Sequence, residues 1–136
     1  ISSTEGKEHT AIVCNSEEES FMFGNGTLQS STAPTVSGFT LLNCPMTISN
    51  YSRPFLNNIT FQGAVTSNFS RTVLSILSNS TATFDSCSFY NLSTSGYSTV
   101  LLDSSNMTIV NSKFISNVAD KSSIIHAANS VSNGIY

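Results

Sequence analysis

Short apolar runs alternate with polar ones along the whole chain, and the alternation repeats. Thr99–Asp103 (TVLLD) is followed by a polar corner, Ser104–Asn106, and then by alternating residues that end on Phe114. The same order occurs once just before: Val73–Leu77 is apolar, Ser78–Asn79–Ser80 is the corner, and Phe84–Phe89 is the second strand. Alternation of period two is the mark of a strand with one buried face. Looser copies begin at Thr10, Thr40, Thr72, Thr99 and Ser123, in steps of 30, 32, 27 and 24 residues. An aromatic follows most of these starts, at Phe23, Phe61, Phe89, Phe114 and Tyr136. A period of this size suits one coil of a solenoid, with the drift absorbed in corner loops. The pattern therefore predicts an all-β chain, a solenoid of about four to five coils. A β-sandwich whose strands resemble one another is the alternative.

In that register Val73, Val100 and Ile124 form one apolar stack and Phe89 with Phe114 another, while Asn79 and Asn106 share a corner position. Residues 1–136 form one domain or a fragment of a longer one, with residues 1–10 as a polar lead-in. Ser30–Gly38 reads as a loop, Phe55–Phe61 and Gly63–Ser70 as a longer excursion, and Val118–Lys121 as a corner. The sequence stops at Tyr136 in mid-repeat with no capping element in view. An open coil exposes an apolar cross-section and strand edges, so the ends are expected to be covered by further coils or by another copy of the chain.

Composition agrees with strands and adds a compartment. There are 27 Ser, 15 Thr and 14 Asn, while only 10% of the residues are charged. Ser and Asn compete with helical hydrogen bonds, and Thr and the other β-branched residues favour strands. Nine Phe and many Val, Ile and Leu remain to build a core. The net charge is −3, and the five Lys and Arg are scattered, so the basic stripe that nucleic acid requires is absent. No apolar run reaches the length of a membrane span.

N-x-S/T sequons stand at Asn25, Asn50, Asn58, Asn68, Asn79, Asn91 and Asn106. Composition alone gives about four, so the motif is enriched and a secreted or cell-surface glycoprotein is expected. A sequon-rich bacterial surface protein without N-glycans is the other reading. Cys14 and Cys44 each lie four residues after a repeat start, which stacks them in neighbouring coils within disulfide reach. Cys87 then reads as a buried thiol.

The repeats resemble those of right-handed parallel β-helix proteins of the pectin-lyase-like type, and most of all those of the polymorphic outer-membrane protein adhesins of chlamydiae. Phe114-Ile-Ser-Asn117-Val-Ala119 resembles that family's F-x-x-N-x-A form and Phe55-Leu-Asn-Asn58 its F-x-x-N, whereas Phe89-Tyr-Asn91 is one residue short. The family's G-G-A-I element is replaced by Ser122-Ser-Ile-Ile125 and, more loosely, Tyr97-Ser-Thr-Val100. The resemblance covers roughly Thr40 to Ala128 and implies surface display and adhesion.

Catalytic chemistry finds little support. A polysaccharide hydrolase needs two carboxylates about 5–9.5 Å apart. Asp85, Asp103 and Asp120 fall at three different positions around the coil, and His9 and His126 have no partner at a suggestive spacing. The run Glu17–Glu19 reads as a solvated loop, because Ca²⁺ requires oxygens that converge from several directions. No catalytic, metal or cofactor site is therefore expected. The leading expectation is an extracellular structural glycoprotein that self-associates head to tail into a fibre. The alternatives are an adhesin passenger that binds carbohydrate or a host surface through Tyr51, Phe69, Tyr90 or Tyr97, and a polysaccharide lyase or hydrolase.

Overall fold

A computed structural model describes residues 1–2, 4–6, 10–14, 21–24, 33–63, 72–95, 98–120 and 124–129, and the backbone of 131–135. Among these residues there is no helix. The first coil carries β1 (Ala11–Val13), β2 (Phe21–Phe23) and β3 (Thr35–Ser37). The second carries β4 (Thr40–Leu42), β5 (Met46–Ile48) and β6 (Phe55–Asn57), and the third β7 (Thr60–Gln62), β8 (Leu74–Leu77) and β9 (Thr81–Asp85). The fourth holds β10 (Ser88–Tyr90), β11 (Ser93–Thr94), β12 (Val100–Asp103) and β13 (Asn106–Val110). The fifth repeats it with β14 (Lys113–Ile115), β15 (Val118–Ala119), β16 (Ile125–Ala128) and β17 (Val131–Ile135).

Strands of successive coils pair in parallel. The first sheet runs β1-β4-β7-β10-β14, the second β2-β5-β8-β12-β16 and the third β3-β6-β9-β13-β17, with a small β11-β15 pair beside the first. The chain is a parallel β-solenoid of about four turns, counted from the first to the last strand of each sheet.

Each strand sends alternate residues inward, and parallel pairing places like upon like. Ile12, Leu41, Phe61, Phe89 and Phe114 form one column in register. Its rings lie face to face: Phe61 and Phe89 are 4.8 Å apart at 1°, and Phe89 and Phe114 are 4.4 Å apart at 4°. Isolated aromatic pairs prefer offset or edge-on arrangements. The ladder overrides that preference, because it fixes equivalent residues about 4.8 Å apart. Phe84, from the third sheet, supplies edge-on contacts to Phe61 and Phe89. Phe61, Phe84 and Phe89 are all fully buried.

The corners explain the abundance of Asn and Ser. Among the described residues twelve that are not glycine have positive φ; seven are Asn, four are Ser and one is Tyr51. Left-handed backbone strains most side chains, and Asn tolerates it best because its short amide bonds locally. These residues end strands: Asn43 after β4, Asn58 after β6, Ser86 after β9, Asn91 after β10, Asn111 after β13 and Ser116 after β14. The next residue then turns inward, as with Ile59, Cys87 and Leu92, all buried, and a new strand begins.

The register differs from the sequence expectation in four places. Thr10 and Thr40 precede or begin first-sheet strands, whereas Thr72, Thr99 and Ser123 precede second-sheet strands, so the proposed coil starts mix two faces. The second coil is short, since Thr40 pairs with Thr60: the supposed excursion Phe55–Phe61 is two strands bent at Asn58. The stack expected from Val73, Val100 and Ile124 is made instead by Met46, Leu74, Val100 and Ile125, one residue along at two positions. Asn79 and Asn106 do not share a position either. Asp103 pairs with Leu77 but Asn106 pairs with Thr81, because the corner after β12 is one residue shorter than that after β8. Two further segments are strands rather than turns: Thr35–Ser37, with Val36 buried, and Val118–Ala119.

Candidate functional site

Two features of the solenoid could meet a partner: its corners and its ends. At the corners, side chains replace ladder bonds that the turning backbone cannot make. The Ser105 Oγ accepts from the Ser80 N–H (3.2 Å) and donates to the Asp103 carbonyl (2.9 Å). The Ser112 Oγ accepts from the Cys87 N–H (2.9 Å) and donates to the Val110 carbonyl (2.8 Å). Asn117 accepts from the Leu92 N–H (2.9 Å) and donates to the Phe89 carbonyl (2.9 Å). Each residue follows a left-handed Ser or Asn and reaches back to the same position one coil earlier. Sequence reasoning missed this role. Its signal was a polar residue directly after a corner Ser or Asn, where other corners have an apolar one.

Every described sequon lies at a corner. Asn50 and Asn79 are exposed left-handed residues between the second and third sheets, and Asn106 is the exposed first residue of β13 at that same corner. Asn58 and Asn91 are half-buried left-handed residues at the other two corners. Asn25 and Asn68 lie outside the described residues. The fold itself favours the motif: a left-handed Asn, an inward residue and an outward Ser or Thr opening a strand spell N-x-S/T, as in Asn58-Ile59-Thr60 and Asn91-Leu92-Ser93. Asn79, Ser104, Ser105, Asn106 and Asn129 line a polar concavity of about 420 Å³ at the corner between the second and third sheets.

Cys14 and Cys44 are joined, with Cα atoms 5.0 Å apart, and tie the first coil to the second. The Cys87 thiol is buried, its Sγ 3.4 Å from the Asp85 carbonyl oxygen and 3.5 Å from that of Leu56.

The acidic candidates stay apart in the coil. Asp85 ends β9 in the third sheet, where its carboxylate accepts from Asn111 Nδ2 (3.1 Å) and Ser86 Oγ (3.0 Å). Asp103 ends β12 in the second sheet, and its carboxylate accepts from Ser104 Oγ (3.2 Å). Asp120 follows β15. Among the described residues no three of His, Cys, Asp and Glu gather as metal ligands. His9 and the Glu17–Glu19 run lie outside the described residues. Of the aromatics, Tyr51 stands exposed at a corner of the second coil and Tyr90 faces outward from the first sheet in the fourth, so they share no face. Phe69 and Tyr97 lie outside the described residues.

In the first and last described coils the inward side chains are less covered. Ile12, Phe21 and Phe23 in the first coil and Phe114 and Ile125 in the fifth are only partly buried, whereas their equivalents in the middle coils are fully so. An apolar cavity of about 120 Å³ opens at the first coil among Ile12, Phe21, Leu41, Met46 and Leu56.

No family model, curated protein or solved structure matches the chain. The motifs that suggested adhesin repeats are also not equivalent in space. Phe114 faces inward from the first sheet, with Asn117 bridging coils, while Phe55 lies on the outer face of the third sheet, with Asn58 at the bend. The solenoid rests on its strand pairing alone.

Proposed function

We propose that this protein is an extracellular structural glycoprotein whose solenoid stacks end to end into a fibre. The observation that supports the reading is the in-register stacking of equivalent side chains from coil to coil, as in the Phe61, Phe89 and Phe114 column. In the last described coil Phe114 continues that column at coil spacing, and in the first Ile12 and Phe21 line an apolar cavity. Further coils laid on either end would extend the same ladders and bury the same side chains. A head-to-tail contact of this kind closes no ring and grows a filament.

The test is electron microscopy and sedimentation of the native protein over a range of concentrations. Long fibres of uniform width are expected. Phe21→Asp and Phe114→Asp would each block one end, so each variant alone stays short, and a mixture of the two stops at pairs joined through the intact ends. Monomers at every concentration, with both end coils protected from hydrogen exchange, would refute the reading.

A further inference from the structure

The described sequons are not spread evenly around the solenoid. Asn50, Asn79 and Asn106 come from three successive coils, and all three stand exposed at the corner between the second and third sheets. Backbone bonds hold that corner in line: Tyr51 N–H donates to the Ser78 carbonyl (3.2 Å), Asn79 N–H to Ser104 (2.9 Å) and Ser104 N–H to Ala128 (3.0 Å). Asn58 and Asn91, one on each remaining corner, are half-buried. We infer that Asn50, Asn79 and Asn106 carry N-linked oligosaccharide along this one edge, staggered rather than stacked because Asn106 pairs with Thr81 and not with Asn79, with the innermost sugars on Asn79 and Asn106 resting in the polar concavity the two share. This inference rests on the exported glycoprotein reading above.

The chemistry of the concavity fits a sugar. Its lining is Asn79, Ser104, Ser105, Asn106 and Asn129, all neutral amides and hydroxyls. Hydroxyl and acetamido groups are neutral donors and acceptors, and these side chains supply partners for both roles. The floor is fixed, because the Ser105 hydroxyl is held between Ser80 and Asp103. A volume of about 420 Å³ holds a monosaccharide with its bridging water. Among the described residues, each sequon lies at a corner or, as Asn106 does, at the first residue of the strand that leaves it.

Site-resolved mass spectrometry of the protein isolated from its native source tests this, with the attached sites marked by enzymatic release in ¹⁸O water. Glycans on Asn50, Asn79 and Asn106 are expected. Release from Asn79 and Asn106 should be slower than from Asn50 in the folded protein, by about tenfold or more, as for a bond reached only after local opening. The rates should become equal after denaturation. Thr81→Ala and Thr108→Ala remove the sequons of Asn79 and Asn106 without touching the corner backbone, and each should lose one glycan's mass. Glycans on Asn58 and Asn91 with the three edge sites bare would overturn the inference while leaving the exported glycoprotein reading intact. Equal release rates in the folded protein would overturn the seating in the concavity. A secreted protein bare at every sequon would overturn both readings.

Discussion

A single glycine shows how closely neighbouring coils approach. Gly63 follows β7 at the corner where Asn43 and Asn91 follow the adjacent strands, and its N–H donates to the Tyr90 carbonyl (3.0 Å). A Cβ added there would overlap the backbone carbonyl oxygen of Asn91, in the next coil. That atom belongs to a ladder and cannot swing aside as a side chain would. Gly63→Ala should therefore destabilise the protein by about 1–3 kcal/mol, the usual cost of overpacking, read as a fall in the denaturant midpoint at unchanged slope. The Asn and Ser corners obey a different constraint, φ rather than space. That is why a residue with a side chain suffices there and Gly is required at few positions.

At the scale of strands, alternation was legible in the sequence and phase was not. TVLSI and TVLLD lie in adjacent coils, though one residue out of the expected register, and the Phe89–Phe114 column is in place. What failed was the assumption that every Thr start lies on the same face. Short strands of three residues look alike on all three sheets, and only pairing tells them apart. The Phe55–Gln62 stretch misled for the same reason: its bend is one left-handed Asn, with no Gly or Pro to mark it. The sequons were legible as motifs, but their gathering at one corner needed the register. Column composition also sets stability. Leu41 lies in register with Phe61 and lines the apolar cavity at the first coil. Leu41→Phe would continue the ring column into that space. An increase of about 0.5–2 kcal/mol, the usual gain from filling a cavity, is expected in thermal or denaturant unfolding.

For the whole molecule, each coil touches only its neighbours, so stability is a chain of local interfaces. The Cys14–Cys44 bridge spans 30 residues of sequence and ties down an end coil. Closing a loop of that size stabilises by about 3–4 kcal/mol in the chain-entropy description. Reduction should accordingly speed hydrogen exchange in β1 and β2, while the amides of β9, β10, β12 and β13 keep their protection. Uniform loss of protection would mean that the coils unfold as one unit. The shortened corner after β12 bears on the history of such a chain. Where Ser78, Asn79 and Ser80 join β8 to β9, Ser104 and Ser105 alone join β12 to β13, and the flanking strands still pair without a break. In an ordinary sheet a lost residue would turn every later side chain to the wrong face. Here the deletion is erased within two residues. A gene encoding this fold can drift in length at its bends and still specify the same object, and the bends are where a foreign peptide could be grafted.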